Sequence, residues 1–321
     1  MKAVFLDYDT VSNGDLDVSA LRAAAGDLEL CESDDAKTAE RIRDAEIVML
    51  NKVELSRELI RGAARLKMVA AAGTGTNNID LAAAREFGVA VCNVRAYCTA
   101  SVVQHVWGLI LSLNQHVCGY ARLTGDGSWT RNEARTVLAF PIRELHGRIL
   151  GVVGFGELGR GVARVAEAFG MRVLIANRRG HGPTPGRVEL EELLARSDIV
   201  SLHCPLDDTT RGLIGARELA LMKPDALLIN TARGALVDGQ ALAQALKAGR
   251  LGGAGIDVLP QEPPLDADPP GGEPLLDPAI PNLIVTPHVA WAAREARQRC
   301  LDEMAANVRD FADGGRRSRV V

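Results

Sequence analysis

Short apolar segments that favour β-strands alternate with amphipathic helical patterns along almost the whole chain. The first series of predicted strands comprises residues 2–6, 28–31, 46–50, 67–71 and 89–91. A long helical pattern over 99–124 interrupts this series, and a second series begins at Arg148 and continues to a final helix at about 291–312. Alternation of this kind is typical of βαβ units and parallel sheets. The 321 residues therefore predict an α/β protein with two parallel-sheet domains.

The charge balance, the apolar runs and the cysteines exclude several classes of protein. The chain has 37 Lys and Arg and 41 Asp and Glu, and its formal net charge of −4 argues against nucleic acid or an anionic membrane as a partner. No apolar run approaches the roughly 18 residues that span a bilayer, and the N-terminus lacks the apolar core of a secretory signal. The six scattered cysteines form no CxxC pair. We therefore expect a cytoplasmic protein with reduced thiols and no metal.

A glycine motif follows the predicted strand 149–153. Gly154-Phe155-Gly156-Glu157-Leu158-Gly159 lies between this strand and a predicted helix, and in that context it predicts a dinucleotide-binding turn. Gly154 permits the tight turn, Gly156 lets a pyrophosphate approach the backbone, and Gly159 lets helix and strand pack closely. The start of the helix offers unpaired N–H groups to phosphates. The alternative interpretation is a glycine-rich turn that binds no ligand.

The next predicted strand, 171–176, ends without the acidic residue that would bind a ribose 2′-hydroxyl. Asn177, Arg178 and Arg179 follow it instead. A neutral amide with two guanidinium groups attracts a 2′-phosphate, which an acidic residue would repel. The sequence therefore favours NADP(H), with NAD(H) as the alternative if the two arginines are merely solvated.

Three later predicted strands are each followed by a residue suited to carbonyl chemistry. Arg233 follows the strand 226–230, Glu262 comes after the strand 254–258, and His288 follows the strand 283–286. Ligands of open α/β sheets bind beyond the carboxyl ends of the strands, so these side chains can converge. A guanidinium can bind a carboxylate and polarise a carbonyl, an imidazole can protonate its oxygen, and a carboxylate can orient the imidazole. Taken singly, Arg233 and Glu262 are equally typical of surface ion pairs.

Other residues near these strand ends complete the predicted cofactor site. His203 and Pro205 follow the strand 198–202, and Thr231 and Ala232 directly precede Arg233. The remaining histidines are interpreted as helix-face or loop residues; they are residues 105, 116, 146 and 181.

These motifs resemble those of the D-isomer-specific 2-hydroxyacid dehydrogenases. The resemblance runs essentially end to end, and it is carried by Gly154–Gly159, Asn230–Gly234, Gly255–Val258, Glu262-Pro263-Pro264 and Thr286-Pro287-His288. The chain is most similar to the glycerate dehydrogenase/hydroxypyruvate reductase branch of that family, through residues 4–7, 50–53, 72–77 and 287–291.

The resemblance implies a domain organisation. Two Rossmann-like or flavodoxin-like domains are expected, with the active site in the interdomain cleft. The substrate-binding domain would comprise residues 1–98 and 290–321, and the nucleotide-binding domain residues 99–289. A homodimer is expected through a dimerisation arm at about 100–145.

The resemblance also implies roles for individual residues. Arg233 would bind the carboxylate and carbonyl of the substrate, His288 would be the acid/base, and Glu262 would be its partner. Asp257 would lie near the nicotinamide carboxamide.

Two further elements are expected to contact the substrate. The backbone N–H groups of Gly73-Thr74-Gly75 would bind its carboxylate, although this segment taken alone is typical of an ordinary turn. Lys52 ends a predicted strand and would face the cleft and tune the choice of substrate; an isolated lysine is otherwise typical of a solvated surface.

The expected activity is NAD(P)H-dependent reduction of a 2-keto acid to a D-2-hydroxy acid, with hydroxypyruvate giving D-glycerate and glyoxylate giving glycolate. Glu262 argues against formate as substrate, because formate dehydrogenases of this fold carry glutamine beside the histidine. Two alternatives stay open. One is a D-lactate-type dehydrogenase of another 2-keto acid, and the other is a non-enzymatic nicotinamide-sensing module like the corepressor branch.

Overall fold

The computed structural model describes residues 1–133, 135–262 and 273–321. The chain forms two compact units, one made of Met1–Thr99 with Trp291–Val321 and the other of Ala100–Ala290. None of the helices in the described ranges is long and apolar enough to cross a membrane.

The first unit contains a five-stranded sheet. In chain order its elements are β1 (Lys2–Phe5), α1 (Ser19–Ala25), β2 (Asp27–Leu30), α2 (Thr38–Ile42), β3 (Ile47–Leu50), α3 (Arg57–Gly62), β4 (Met68–Ala71), α4 (Leu81–Glu86) and β5 (Ala90–Cys92). The strands lie in the order β2-β1-β3-β4-β5, and all neighbouring pairs are parallel. Ser56 and Asp80 cap α3 and α4 by accepting hydrogen bonds from N–H groups of their first turns.

The second unit contains a six-stranded parallel sheet. Its elements are α5 (Thr99–Asn114), α6 (Val117–Gly125), β6 (Ile149–Val153), α7 (Glu157–Ala168), β7 (Arg172–Ile175), α8 (Leu190–Arg196), β8 (Ile199–Leu202), α9 (Ala216–Leu221), β9 (Leu227–Asn230), α10 (Gly239–Lys247), β10 (Gly253–Ile256) and β11 (Leu283–Val285). The strand order is β11-β10-β9-β8-β6-β7, and Val188 adds a parallel bridge to Ala176 just after β7. The order reverses between β6 and β8, and sheets of this kind bind ligands at the carboxyl edge near such a reversal.

A final helix, α11 (Arg294–Ala312), completes the first unit. The residues that it buries in the apolar core of this unit recur at intervals of three or four or lie next to such a position, as one face of a helix requires; they are Ala296, Cys300, Leu301, Met304, Ala305 and Val308. With both sheets parallel, the predicted α/β fold class is confirmed.

The helical pattern over residues 99–124 forms two helices rather than one. α5 ends at Asn114 and α6 begins at Val117, because His116 adopts a left-handed conformation with a φ of 47°. The imidazole of His116 stacks on Phe140, with 5.3 Å between the ring centroids, and burial lowers its pKa. The apolar periodicity continues across the break, which is why the sequence pattern does not show it.

Candidate active site

The turn between β6 and α7 has the geometry that its glycines predict. Gly154 has a φ of 96°, and a Cβ atom there would collide with the backbone that follows β8. A Cβ atom at Gly159 would collide with the carbonyl of Gly154, so this glycine lets α7 pack against the turn. Gly156 is the N-cap without a side-chain cap, and open space surrounds the position of a Cβ atom there. The first residues of α7, Glu157 and Leu158, therefore begin a helix whose N-terminus a phosphate can approach.

Two buried polar atoms lie at the carboxyl ends of neighbouring strands of the same sheet. The Nδ1 atom of His203, after β8, and the Oγ1 atom of Thr231, after β9, have no hydrogen-bond partner within the described residues. The Nε2 atom of His203 lies 2.8 Å from the Ser201 hydroxyl, and burial lowers the pKa of His203 to about 4. Pro205 and Ala232 lie in the same two loops. A bound ligand commonly satisfies such buried atoms, so this edge fits a dinucleotide.

The side chain of Asn177 is bonded to its own loop. Its Nδ2 atom donates to Glu189 Oε1 at 2.6 Å, and its Oδ1 atom accepts from the N–H of Thr184 at 3.0 Å. The amide that the sequence analysis assigns to a 2′-phosphate thus already has two protein partners. Arg178 and Arg179 are exposed, and neither pairs with a carboxylate of the described residues. The positive charge at the end of β7 therefore comes from these two arginines.

Arg233 lies in a loop that its neighbours fix on both sides. The Nδ2 atom of Asn230 donates to the carbonyl of Arg233 at 2.9 Å. The guanidinium of Arg233 donates to the carbonyl of Ala232 at 2.7 Å. A Cβ atom at Gly234 would collide with the carbonyl of Leu259, so this glycine lets the segment that leads to Glu262 pass directly against the Arg233 loop.

Glu262 and His288 form a close pair. The Nδ1 atom of His288 lies 2.7 Å from Oε1 and 2.8 Å from Oε2 of Glu262. A carboxylate at Nδ1 fixes the orientation of the ring and stabilises positive charge on it. Pro263 and Pro264 of the same motif lie outside the described residues. The described part of the chain contains no group of three His, Cys, Asp or Glu side chains that could hold a metal ion.

The loop that carries His288 is held by Asp257. His288 has a φ of 54°, which is uncommon for a residue other than glycine. The buried carboxylate of Asp257 accepts from the N–H groups of Val289 and Ala290, both at 2.9 Å, and from the Thr286 hydroxyl at 2.6 Å. The family resemblance implies that Asp257 lies near the nicotinamide carboxamide. The structure shows that its carboxylate oxygens are engaged by the histidine loop.

A second buried aspartate holds the loop that carries Lys52. The carboxylate of Asp7 accepts from the N–H groups of Asn51 at 2.9 Å, Lys52 at 2.6 Å and Val53 at 3.1 Å. Burial raises the pKa of Asp7, although the hydrogen bonds from these amides oppose the rise. The Lys52 side chain itself is exposed.

The segment Gly73-Thr74-Gly75 offers three backbone N–H groups to a ligand. The Gly73 carbonyl accepts from the N–H of Val94 at 2.9 Å, and the Thr74 carbonyl accepts from the Asn93 side chain at 2.8 Å. The Thr74 hydroxyl donates to the Val94 carbonyl at 2.8 Å. Within the described residues, no acceptor pairs with the three N–H groups of the segment. Adjacent unpaired N–H groups bind anions, so this geometry fits the predicted carboxylate site.

The second unit matches a family model over residues 107–290, and the model is described as "D-isomer specific 2-hydroxyacid dehydrogenase, NAD binding domain". The chain belongs to this family. It is 45% identical over 275 residues to a glycerate dehydrogenase of Methylorubrum extorquens, which covers 86% of this chain and 85% of that protein. It is 34% identical over 322 residues to a hydroxypyruvate reductase of Blautia hydrogenotrophica, which covers 98% of each.

The fold is also similar to a solved structure of an acyclic imino acid reductase (Bsp5) in complex with NADPH and D-Arg. The TM-score is 0.85 at 28% sequence identity, and the match covers 100% of both chains. The predicted family is therefore confirmed. This D-2-hydroxyacid dehydrogenase is an oxidoreductase that uses a nicotinamide cofactor to reduce a 2-keto acid, and the sensing module is not favoured.

Sequence reasoning missed three residues that the structure brings to these loops. Asp7 holds the Lys52 loop and Glu189 binds Asn177. His105, interpreted as a helix-face residue, lies with its Nε2 atom 3.0 Å from the Thr286 hydroxyl. The contacts of Asp7 and His105 join residues that are far apart in sequence, and only Gly255, two residues before Asp257, hints that another element packs closely there.

Proposed function

We propose that this D-2-hydroxyacid dehydrogenase reduces hydroxypyruvate to D-glycerate, and glyoxylate to glycolate, with NADPH as the preferred reductant. The observation that carries the proposal is the bonded pair of His288 and Glu262. The named relatives support the substrate class, because one is a glycerate dehydrogenase and another a hydroxypyruvate reductase. A D-lactate-type activity on another 2-keto acid is the second candidate.

In this proposal the substrate carboxylate is bound by charge and by backbone dipoles. The N–H groups of Gly73, Thr74 and Gly75 donate to it, since they have no acceptor among the described residues. The guanidinium of Arg233 binds the carboxylate and the adjacent carbonyl oxygen. Lys52, in the loop that follows β3, tunes the choice among 2-keto acids.

His288 supplies the proton. Glu262 bonds to Nδ1, so the ring presents Nε2 to the carbonyl oxygen and donates its proton there as the C–H bond forms. When bound, the reduced nicotinamide supplies the hydride. One hydride and one proton thus convert the 2-keto acid to the D-2-hydroxy acid, and His288 is reprotonated from solvent. Gly154, Gly156 and Gly159 would hold the cofactor pyrophosphate, with His203, Thr231 and Asp257 beside the cofactor.

The test follows the absorbance of the reduced nicotinamide with hydroxypyruvate, glyoxylate and pyruvate. His288→Ala and Arg233→Ala should each lower kcat/KM by orders of magnitude, while Glu262→Gln should shift the pH profile and keep part of the rate. His146→Ala, which removes an exposed histidine elsewhere in the same unit, is the matched control. Near-normal turnover by His288→Ala would overturn the assigned chemistry, and a preference for pyruvate would favour the D-lactate-type candidate.

The preference for NADPH rests on Arg178 and Arg179. Both are exposed and unpaired with carboxylates of the described residues, whereas the Asn177 amide is bonded to Glu189 and Thr184. A hydrogen bond to a charged group contributes about 1.5–3 kcal/mol. Removing both guanidinium groups should therefore weaken NADPH binding roughly 10-fold or more while leaving NADH binding nearly unchanged. Titration of cofactor fluorescence measures both affinities, with Arg164→Ala on α7 as the control. Equal losses for the two cofactors would contradict the assignment.

We also propose a cytoplasmic homodimer that forms through the arm at about 100–145. The arm exposes large apolar side chains, and Leu138 is 85% exposed. The six cysteines are all free thiols, which suits a reducing compartment. Light scattering should give twice the 34.2 kDa chain mass. Leu138→Asp with Ile142→Asp should give the single-chain mass, and Leu221→Asp outside the arm should not. A single-chain mass for the native protein would exclude the dimer.

A further inference from the structure

We propose that His105 is a positioning residue that holds the His288 loop in its active conformation through Thr286 and Asp257. The inference deepens the proposed function, because it rests on His288 being the acid/base. His105 lies on α5, and the loop follows β11, so the proposed link joins two elements of the second unit that are 181 residues apart in sequence.

The direction of the hydrogen bonds defines the link. The carboxylate of Asp257 can only accept, so the Thr286 hydroxyl donates its proton to Oδ1 at 2.6 Å. With its proton used, that hydroxyl can only accept from the Nε2 atom of His105 at 3.0 Å. His105 must therefore carry its proton on Nε2. The same nitrogen lies 3.5 Å from Asp257 Oδ1, which is within ion-pair range of this carboxylate.

A glycine on β10 lets α5 approach. A Cβ atom at Gly255 would lie 3.0 Å from the Cβ atom of Leu109, so the helix crosses the strand in direct contact. His105 is one helical turn before Leu109 and shares its face, while Asp257 is two residues after Gly255 and shares the corresponding side of the strand. The contact at Gly255 therefore sets His105 over the end of β10, where Asp257 holds the loop.

This link bears on catalysis because surrounding hydrogen bonds must hold His288 in its backbone conformation. A φ of 54° is uncommon for a residue other than glycine, and hydrogen bonds to Asp257 hold the loop in this conformation. The Asp257 carbonyl accepts from the N–H of His288 at 2.9 Å, and its carboxylate accepts from Val289 and Ala290. His105 and Thr286 hold the carboxylate in the orientation that makes both bonds. Loss of either side chain frees the carboxylate to rotate and allows His288 to move away from the reacting oxygen.

Two pairs of variants test the proposal. His105→Leu removes the N–H donor, and His105→Gln keeps a donor at nearly the same distance from the helix. Thr286→Val removes the hydroxyl at equal volume, and Thr286→Ser restores it. The measurements are kcat and KM for hydroxypyruvate, hydrogen exchange at residues 286–290 without cofactor, and the melting temperature.

His105→Leu and Thr286→Val should each lower kcat roughly 10- to 100-fold with little change in KM, since about 1 Å of misplacement costs on the order of 100-fold. Exchange at Val289 and Ala290 should accelerate about tenfold or more in both variants. His105→Gln and Thr286→Ser should recover most of the loss, and the double variant should be no worse than either single one.

Unchanged exchange in His105→Leu, or a His105→Gln variant as impaired as His105→Leu, would overturn the proposal. If His105→Leu does not fold, the Thr286 pair decides the question by the same measurements. The exchange experiment needs no turnover. If His288→Ala showed that His288 is not the acid/base, exchange would still report whether His105 holds the loop.

Discussion

Asp7 in the first unit and Asp257 in the second unit perform the same structural task at the ends of parallel strands. Asp7 lies two residues after β1 and accepts from three N–H groups in the loop after the neighbouring strand β3. Asp257 directly follows β10, and its carboxylate accepts from two N–H groups in the loop after the neighbouring strand β11. Both carboxylates are almost completely buried.

The two aspartates differ in their remaining contacts. The donors to the Asp7 carboxylate are backbone amides, whereas the Asp257 carboxylate also accepts from the Thr286 hydroxyl and lies in ion-pair range of His105. The hydrogen bonds to the Asp7 carboxylate come from the backbone alone. Those to the Asp257 carboxylate include side chains, one of which links the loop to a helix, so single substitutions can remove them. We therefore expect the His288 loop to be more sensitive to mutation than the Lys52 loop.

Among the substitutions that test the difference between the two loops, Asp257→Asn should have the largest effect. Both oxygens accept hydrogen bonds, so an amide must direct its NH₂ group at an N–H or hydroxyl donor, which costs about 1–3 kcal/mol in the unfolding free energy. Because the His288 loop loses one of its two carboxylate oxygen acceptors, kcat should fall roughly 100-fold, as for about 1 Å of misplacement. Stopped-flow turnover and urea unfolding measure the two quantities.

The affinity for NADPH separates two roles of this aspartate. An unchanged affinity in Asp257→Asn, together with a lower kcat, would support the loop-holding role. A weakened affinity would restore the predicted contact with the nicotinamide. A kcat within threefold of the native value would show that the loop does not need the carboxylate.

Asp7→Asn should have a smaller effect on turnover and a different kinetic signature. The same mismatch of donors arises, so we expect a loss of about 1–3 kcal/mol in the unfolding free energy. Since Lys52 is assigned to substrate choice rather than proton transfer, KM for hydroxypyruvate should rise roughly tenfold while kcat stays nearly constant. The control is Asp9→Asn, which changes an exposed carboxylate bonded to Ser33. A fall in kcat as large as that of Asp257→Asn would remove the distinction between the two loops.

Some features of these two loops follow from local sequence patterns, and others depend on which strands and helices pack together. Periodicity and glycine spacing predicted both sheets, and the residues at strand ends predicted His288 and Glu262, which the structure pairs. Strand ends are local features, so a linear pattern contains them. The partners of Asp7 and Asp257 lie 44 or more and 29 or more residues away, respectively, and depend on which strands pair and which helix crosses them. The left-handed His116 was missed for a related reason, since its stacking partner Phe140 is distant in sequence.

Gly255→Ala tests whether the approach of α5 matters to the second loop. The added methyl group would press on Leu109, so the helix must shift by a few tenths of an ångström. We expect kcat to fall by roughly three- to tenfold, in the same direction as in His105→Leu but less, because the misplacement is well below 1 Å. Gly108→Ala, on the same helix with open space around it, is the control and should leave kcat unchanged. Equal changes in kcat for the two variants would show that the position of α5 does not affect the His288 loop.

The smallest expected effect concerns the pH dependence of stability in the first unit. Burial raises the pKa of Asp7, so the folded state holds this proton more tightly than the unfolded chain. The contribution of Asp7 to the unfolding free energy is therefore greatest below the unfolded pKa of about 3.9 and declines as the pH rises toward the native pKa. The difference in unfolding free energy between the native protein and Asp7→Asn, measured by urea unfolding at successive pH values, should show this decline. It should then reach a plateau above the native pKa.

The contribution of Asp15 to the unfolding free energy should depend on pH in the opposite direction, in the same unit. Its hydrogen bonds with the Arg297 guanidinium lower its pKa to about 2, so its contribution is present above the unfolded pKa and is lost as the pH falls toward 2. The difference between the native protein and Asp15→Asn should therefore increase with pH where that for Asp7→Asn has not yet begun to decline. If both differences changed in the same direction, then burial would not be the dominant influence on Asp7, and its amide donors would outweigh the loss of solvent. The Lys52 loop would then be held by a carboxylate that is favourable in its charged form.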